Sequence, residues 1–229
     1  MTAITKTTTL KELAGIIGTA LNDAGIDAVL IGGAAVSIYT DNVYQTYDLD
    51  FMIAQVRPEV VADVLKPLGF VREGKGRHFS HPNTEFLVEF PTEELNFGET
   101  SASLESVDIL STSKGNVRVI TPTQSVMDRM AAYIHWKDEQ SYNQAMSIVR
   151  DNTIDWKQLY EWAAKEDITL DVIDDLKRGS FLQRMPEETI ASAMDMSEYE
   201  HEILKDAEDY RAGCLETSSL AEVKERLRQ

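Results

Sequence analysis

"LIGGAAVSIYTDNVYQTYDLDFMI", residues 30–53, sets a glycine pair behind one apolar run and an aspartate pair inside the next. The run ending in Gly32-Gly33 reads as a short buried strand, and "AAVSIY" opens a helix directly after it. "DLDFMI" reads as a second strand. Side chains alternate across a strand, so Asp48 and Asp50 share one face while Leu49 and Phe51 take the other. Two ionised carboxylates side by side repel each other. Two readings are open: an edge strand whose acids face water, or a cation held between them. Magnesium fits the second, being a hard ion bound by carboxylate and phosphate oxygens. The glycine pair also has two readings. It is a tight strand–helix turn that needs glycine, or a helix start whose backbone N–H groups cradle a phosphate.

Further acids and cations lie downstream. In "TEFLVEFP", Glu85, Leu87 and Glu89 fall on one strand face and Phe86, Val88 and Phe90 on the other. Glu89 stands among apolar residues, where an unpaired charge is costly, and a shared metal site would compensate it. Glu85, nearer the strand start, is expected in solvent. "REGKGRHF" brings Arg72, Lys75, Arg77 and His78 around glycines, and Arg77 is the candidate on the phosphate side. Arg129 and Lys137 on a later helix face either the same cleft or an ion-pair partner, the pairing being the commoner fate of such residues.

Around these segments the pattern is mixed. Residues 7–25 and 58–69 read as amphipathic helices, each closed by a glycine, Gly25 and Gly69. "FVREGKGRHFSH" and "TEFLVEF" read as a pair of strands, and "SVDIL" and "VRVI" add two more. Thr121, Pro122 and Gln124 form a capping signature, and Asp155 with Gln158 repeats the spacing. Trp136, Trp156 and Trp162 are expected in the core. The expected fold is α+β, a mixed β-sheet flanked by helices and followed by a helical C-terminal region. Its expected parts are a core over 1–120, a helical subdomain over 121–180, and an acidic helical extension over 181–229. "PEETIASAM" and "SLAEVKERL" supply the helices of that extension.

The chain has 229 residues and a net charge of −17. Acidic residues outnumber basic ones on both sides of Arg150, so general nucleic-acid binding is disfavoured, whereas a cationic small molecule or a protein meets no such barrier. No run of about 18 apolar residues is present, so no membrane span is expected. The first residues lack a signal-peptide core, and Cys214 is the one cysteine; both lead to a cytoplasmic expectation.

The combination of Gly32-Gly33, Asp48-x-Asp50 and Glu89 resembles the DNA polymerase beta-like nucleotidyltransferase superfamily. Its signature is a glycine turn after a strand, a D-x-D strand, and a third acid on a later strand. Residues 25–165 are similar to stand-alone nucleotidyltransferase-like proteins of the toxin–antitoxin and phage-defence type. There are departures: the third acid is Glu, Thr123-Gln124 stands where an acidic pair is common, and the interval from Gly33 to Asp48 is slightly long. The resemblance implies a metal-dependent transfer of a nucleoside monophosphate from an NTP to an acceptor hydroxyl on an RNA end, a protein or a small molecule. It implies two magnesium ions held by Asp48, Asp50 and Glu89, and a triphosphate held by Gly32, Gly33 and Arg77. Residues 206–229, with Asp209-Tyr210-Arg211-Ala212-Gly213, resemble the tails of small antitoxins, a resemblance that implies a protein partner. The alternative is a non-catalytic module of the same fold that binds a toxin or antitoxin partner.

Overall fold

The computed structural model describes residues 3–183 apart from Lys75. The helices expected over 186–194 and 219–227, the tail motif of 206–229 and Cys214 lie outside the described residues. The chain divides into two compact units, one up to Asn152 and one from Thr153 onward.

The first unit is built on a seven-stranded mixed sheet. Its strands are β1 (Ala28–Ile31), β2 (Asp48–Ile53), β3 (Val71–Arg72), β4 (His78–Ser80), β5 (Leu87–Glu89), β8 (Asp108–Thr112) and β9 (Gly115–Val119). They lie in the order β3-β4-β5-β2-β1-β9-β8. A separate two-stranded hairpin is formed by β6 (Asn96–Phe97) and β7 (Thr100–Ser101). β2 runs antiparallel to β1 and parallel to β5. It is therefore an interior strand, which removes the reading of Asp48 and Asp50 as acids on a solvated edge. The segment "FVREGKGRHFSH" holds two strands where one was expected, because its glycine turn lies between β3 and β4.

Helices α1 (Leu10–Asp23), α2 (Gly32–Tyr39), α3 (Pro58–Leu65), α4 (Pro122–Trp136) and α5 (Glu139–Asp151) surround the sheet. Their starts follow the sequence signals. Thr9 and Glu12 form a reciprocal capping box on α1, and Thr121 and Gln124 do the same on α4. Pro58 occupies the first turn of α3, where its missing N–H costs nothing. α1 packs on β9, β1 and α3, while α2, α4 and α5 pack together. Leu49 and Phe51 of β2 are fully buried, and Phe51, Phe79 and Phe90 form a contiguous aromatic row with ring separations of 6.0 and 5.6 Å. Burial of such rings is the main favourable term in the fold.

The unit from Thr153 carries α6 (Trp156–Lys165) and α7 (Leu170–Gln183). Asp155 caps α6 through the Gln158 N–H. Tyr160 donates to Asp174, tying the two helices, and the Lys177 ammonium lies 5.8 Å from the Trp156 ring centre. Of the three tryptophans expected in the core, Trp162 is buried and Trp156 half-buried, but Trp136 is 77% exposed. It ends α4, where Lys137 turns into the left-handed region at φ 55° and takes the chain away from the packed face.

Two glycines let α1 approach the sheet closely. A Cβ on Gly18 would stand 2.7 Å from the Asn116 carbonyl oxygen and 2.8 Å from the Val117 Cα, both of them backbone atoms that cannot swing aside. Alanine in a helix interior ordinarily stabilises by about 1 kcal/mol relative to glycine. The clash outweighs that gain. Gly18→Ala is expected to lower stability in denaturant unfolding by about 1–3 kcal/mol with an unchanged m-value. A more stable variant would show that α1 does not ride this close.

Candidate functional site

The register of β2 assembles the site. Ile31, the last residue of β1, lies opposite Asp50, and Asp50 in turn lies opposite Glu89 of β5. The chain leaves β1 directly into α2 through Gly32, whose φ is +62°. A Cβ at Gly32 would stand 2.8 Å from Asp50 Oδ2, so glycine is required twice, by conformation and by space. Position 33 is covered by Thr46 and Tyr44, whose nearest atoms would lie 3.4 and 3.6 Å from a Cβ there. Thr46 Oγ1 also accepts the Asp48 N–H at 3.2 Å, which fixes the entry into β2. The start of α2 has no side-chain cap from Ile31. The far end of α2 is anchored: the half-buried Tyr39 donates its hydroxyl hydrogen to the Ile120 carbonyl at 2.7 Å, and the Asn152 amide donates to the Tyr39 carbonyl at 2.8 Å.

Asp48 and Asp50 are half-buried between the fully buried Leu49 and Phe51. Burial is the largest influence on Asp50, followed by the charges of Glu89 and Asp48; together they push its pKa up from 3.8 to about 6. Arg129 of α4 opposes them, and the neighbouring Asp128 acts with them. Arg129 is itself held by Asp128 Oδ2 at 2.5 Å and by Gln144 Oε1 at 3.3 Å. It therefore meets both expectations for it: an ion pair, and a place close enough to Asp50 to act on its charge.

The structure brings Gly32, Gly33, Asp48, Asp50 and Glu89 together. It does not bring Arg77 to them. Arg77 donates to Glu93 Oε1 at 2.6 Å and to the Phe90 carbonyl at 3.4 Å, and it lines a crevice with Ile53, Val56, Pro58, Val61, Phe79 and Phe90. Ile53, Phe79 and Phe90 belong to the sheet face opposite the acids. The residue that reaches the acids is the next one, His78, whose Nδ1 lies 2.6 Å from Glu89 Oε1. Glu85 is exposed, as expected. Thr46 and Tyr44 had no signal in the sequence beyond their place in the loop before β2.

The carboxylates offer hard oxygen donors with no sulfur beside them, and the opposed charge on Asp50 is what a cation would relieve. Among the described residues, however, no three acidic, histidine or cysteine side chains are disposed to hold a metal ion by themselves. The arrangement suits an ion that takes one or two carboxylates from the protein and the rest of its oxygens from a bound phosphate.

The charge on Asp50 has a consequence for stability. A carboxyl whose pKa is raised on folding keeps a proton, between about pH 4 and 6, that the unfolded chain has already released. Stability contributed by this group thus falls as pH rises through that window and stays low above it. Asp50→Asn is expected to raise the melting temperature at pH 7.5 by about 3–6 °C, for a relief on the order of 2 kcal/mol, and to leave it unchanged at pH 4. Thermal unfolding at the two pH values tests this, and a variant destabilised at pH 7.5 would refute it.

No family model matches the chain, and no curated protein does. Among solved structures, an antigenic nucleotidyltransferase-like protein from Paracoccidioides brasiliensis aligns with a TM-score of 0.53 at 16% identity, over 77% of this chain and 94% of that one. The antibiotic-resistance factor ANT(2'')-Ia, in solution and in complex with adenylyl-2''-tobramycin, aligns with a TM-score of 0.41 at 15% identity. These two matches cover 70% and 66% of this chain, and 91% and 93% of the respective structures. Scores at that level carry no weight. The first match does, and at its identity it speaks for architecture: the chain has the nucleotidyltransferase-like fold.

Proposed function

We propose that this protein is a metal-dependent nucleotidyltransferase that moves a nucleoside monophosphate from an NTP to an acceptor hydroxyl. One observation carries the reading: Asp50, with its charge opposed from three sides, abuts the glycine start of α2. This contact supports reading the turn as a phosphate cradle beside a carboxylate that a cation would relieve.

Magnesium would be held by Asp48 and Asp50, and when bound it would neutralise triphosphate charge and acidify a coordinated hydroxyl. The protein's own groups do the positioning. Backbone N–H groups at the start of α2 donate to phosphate oxygens, and the helix dipole favours the anion there. Arg129 supplies positive charge beside Asp50. Glu89 stands next to Asp50, where a hydroxyl entering along β5 would meet it. Such a site works mainly by positioning and charge neutralisation.

The acceptor is an RNA end, a protein side chain or a small molecule, and the net charge of −17 weighs against RNA. We place the protein in a toxin–antitoxin or defence setting on the resemblance of residues 25–165 and 206–229, the latter segment being the proposed contact for a protein partner.

Incubation with α-labelled NTPs, MgCl2 and fractionated cell extract tests the activity. Label is expected in one acceptor fraction, reduced at least about a hundredfold in an Asp48→Ala, Asp50→Ala double variant and by chelation of magnesium. Transfer that persists in the double variant overturns the assignment. No transfer to any fraction favours a binding module of the same fold.

A further inference from the structure

The helices around α2 overhang its glycine start. α2 has eight residues and α4 has 15, which at the α-helical rise are lengths of about 12 and 22 Å. The far end of α2 is tied at Tyr39 to Ile120, just before α4 begins, and to Asn152, just after α5 ends. Arg129, midway along α4, acts on Asp50, which abuts Gly32 at the other end of α2. The last two turns of α4 and the first turn of α5 therefore run on past the glycine pair. Tyr133 and Trp136 stand four and seven residues after Arg129, on the same stripe of α4, and Trp136 is exposed.

The loop before β2 closes this space from the other side. Asp41 and Asn42 take left-handed backbone conformations in succession, at φ 48° and 62°, and so reverse the chain after α2. The reversal is fixed by its own hydrogen bonds. The Asn42 and Val43 N–H groups donate to the Ser37 and Thr40 carbonyls at 2.9 and 3.0 Å, and Ser37 Oγ donates to Asn42 Oδ1 at 3.0 Å. The Tyr44 N–H donates to Thr40 Oγ1 at 3.4 Å. Tyr44 is thereby laid against the start of α2, its Cε1 3.6 Å from where a Cβ on Gly33 would stand. The Gln140 amide, four residues after Trp136, donates to its hydroxyl at 3.4 Å. The ring thus bridges the glycine turn and the overhang. Tyr44 is only half-buried and Val43 is exposed, so apolar burial does not account for the order of this loop.

Resting on the nucleotidyltransferase reading, we propose that Tyr44 and Trp136 form the seat of the nucleobase. A base lies one ribose beyond its phosphates. From the start of α2 that step leads into the space between the loop and the overhang of α4. The Tyr44 ring offers a π-face beside Gly33, and the exposed indole offers a second wall. The occupant is a base because this aromatic surface continues, through Tyr44, from the turn that would hold the phosphates. Stacking is open to every base, so the seat fixes where the base lies more than which base it is.

Calorimetric titration of the full chain in MgCl2 with two probes, α,β-methylene-ATP and inorganic tripolyphosphate, separates the base from the phosphates. Tyr44→Ala and Trp136→Ala are each expected to weaken the nucleotide about tenfold and to leave tripolyphosphate within about twofold. The retained tripolyphosphate affinity shows that the variants are folded. Tyr44→Phe keeps the ring and holds nucleotide affinity within about threefold. The α,β-methylene nucleotides of the four bases bind within about tenfold of one another. Nucleotide affinity untouched by both alanine substitutions overturns the base seat. Equal losses for nucleotide and tripolyphosphate also overturn it, by placing these residues at the phosphates. A wild-type chain that binds neither probe fails the nucleotidyltransferase reading itself, whereas one that binds both equally fails the base seat alone.

Discussion

Asp50 is the constraint around which the first unit is arranged. Its carboxylate is half-buried, faces two other acids, and touches a turn that has no room for a side chain. Burial opposes the ionised form, and Glu89 and Asp48 oppose it further; Arg129 alone among its main charged neighbours favours it. A sheet built for stability would place an apolar residue here, as it does at Leu49 and Phe51 on the other face of the same strand. The strand therefore holds the core together on one side and maintains an electrostatic deficit on the other.

That deficit is maintained by rigid parts. β2 is bonded on both edges, so Asp50 cannot retreat with a fraying strand. α2 is fixed at its far end by Tyr39 and Asn152, which keeps its first turn against the carboxylate. Arg129 is restrained by Asp128 and Gln144 and so offsets only part of the repulsion. Loop residues alone would relax until the charges separated. Strands and a tethered helix do not, and a group held out of its preferred ionisation state in this way is a mark of sites that bind or react.

Much of this was legible in the sequence because it rests on local rules. Caps at Thr9, Thr121 and Asp155, the glycine end of β1 and the alternation through Asp48–Ile53 each depend on a few adjacent residues. What depended on strand pairing was not legible. Arg77 and His78 are neighbours in the chain, and side chains alternate, so a single position of register decides which faces Glu89. The sequence favours arginine as the better phosphate ligand, whereas the pairing of β4 with β5 selects histidine. Trp136 failed for a related reason. Its hydrophobicity argues for burial, but it sits at the last turn of α4, beyond the stripe that Val126 and Met130 bury. The β6–β7 hairpin, two residues per strand, is too short to show a period at all.

The overall charge sharpens the role of the few local donors. A chain at −17 repels a triphosphate at long range, and within about 8–10 Å at physiological salt the local field takes over. Close to Asp50 that field has two favourable sources: the N–H groups opening α2 and the guanidinium of Arg129. The acids beside them mean that a bare triphosphate meets attraction and repulsion together, and that one carrying a divalent ion meets attraction from both. Under the proposed function, selection for a metal-bound nucleotide would follow from the same carboxylates that oppose the charge on Asp50. The same long-range repulsion falls hardest on an extended polyanion, which has to approach along the surface as well as at the site, and least on an acceptor that is neutral or positively charged.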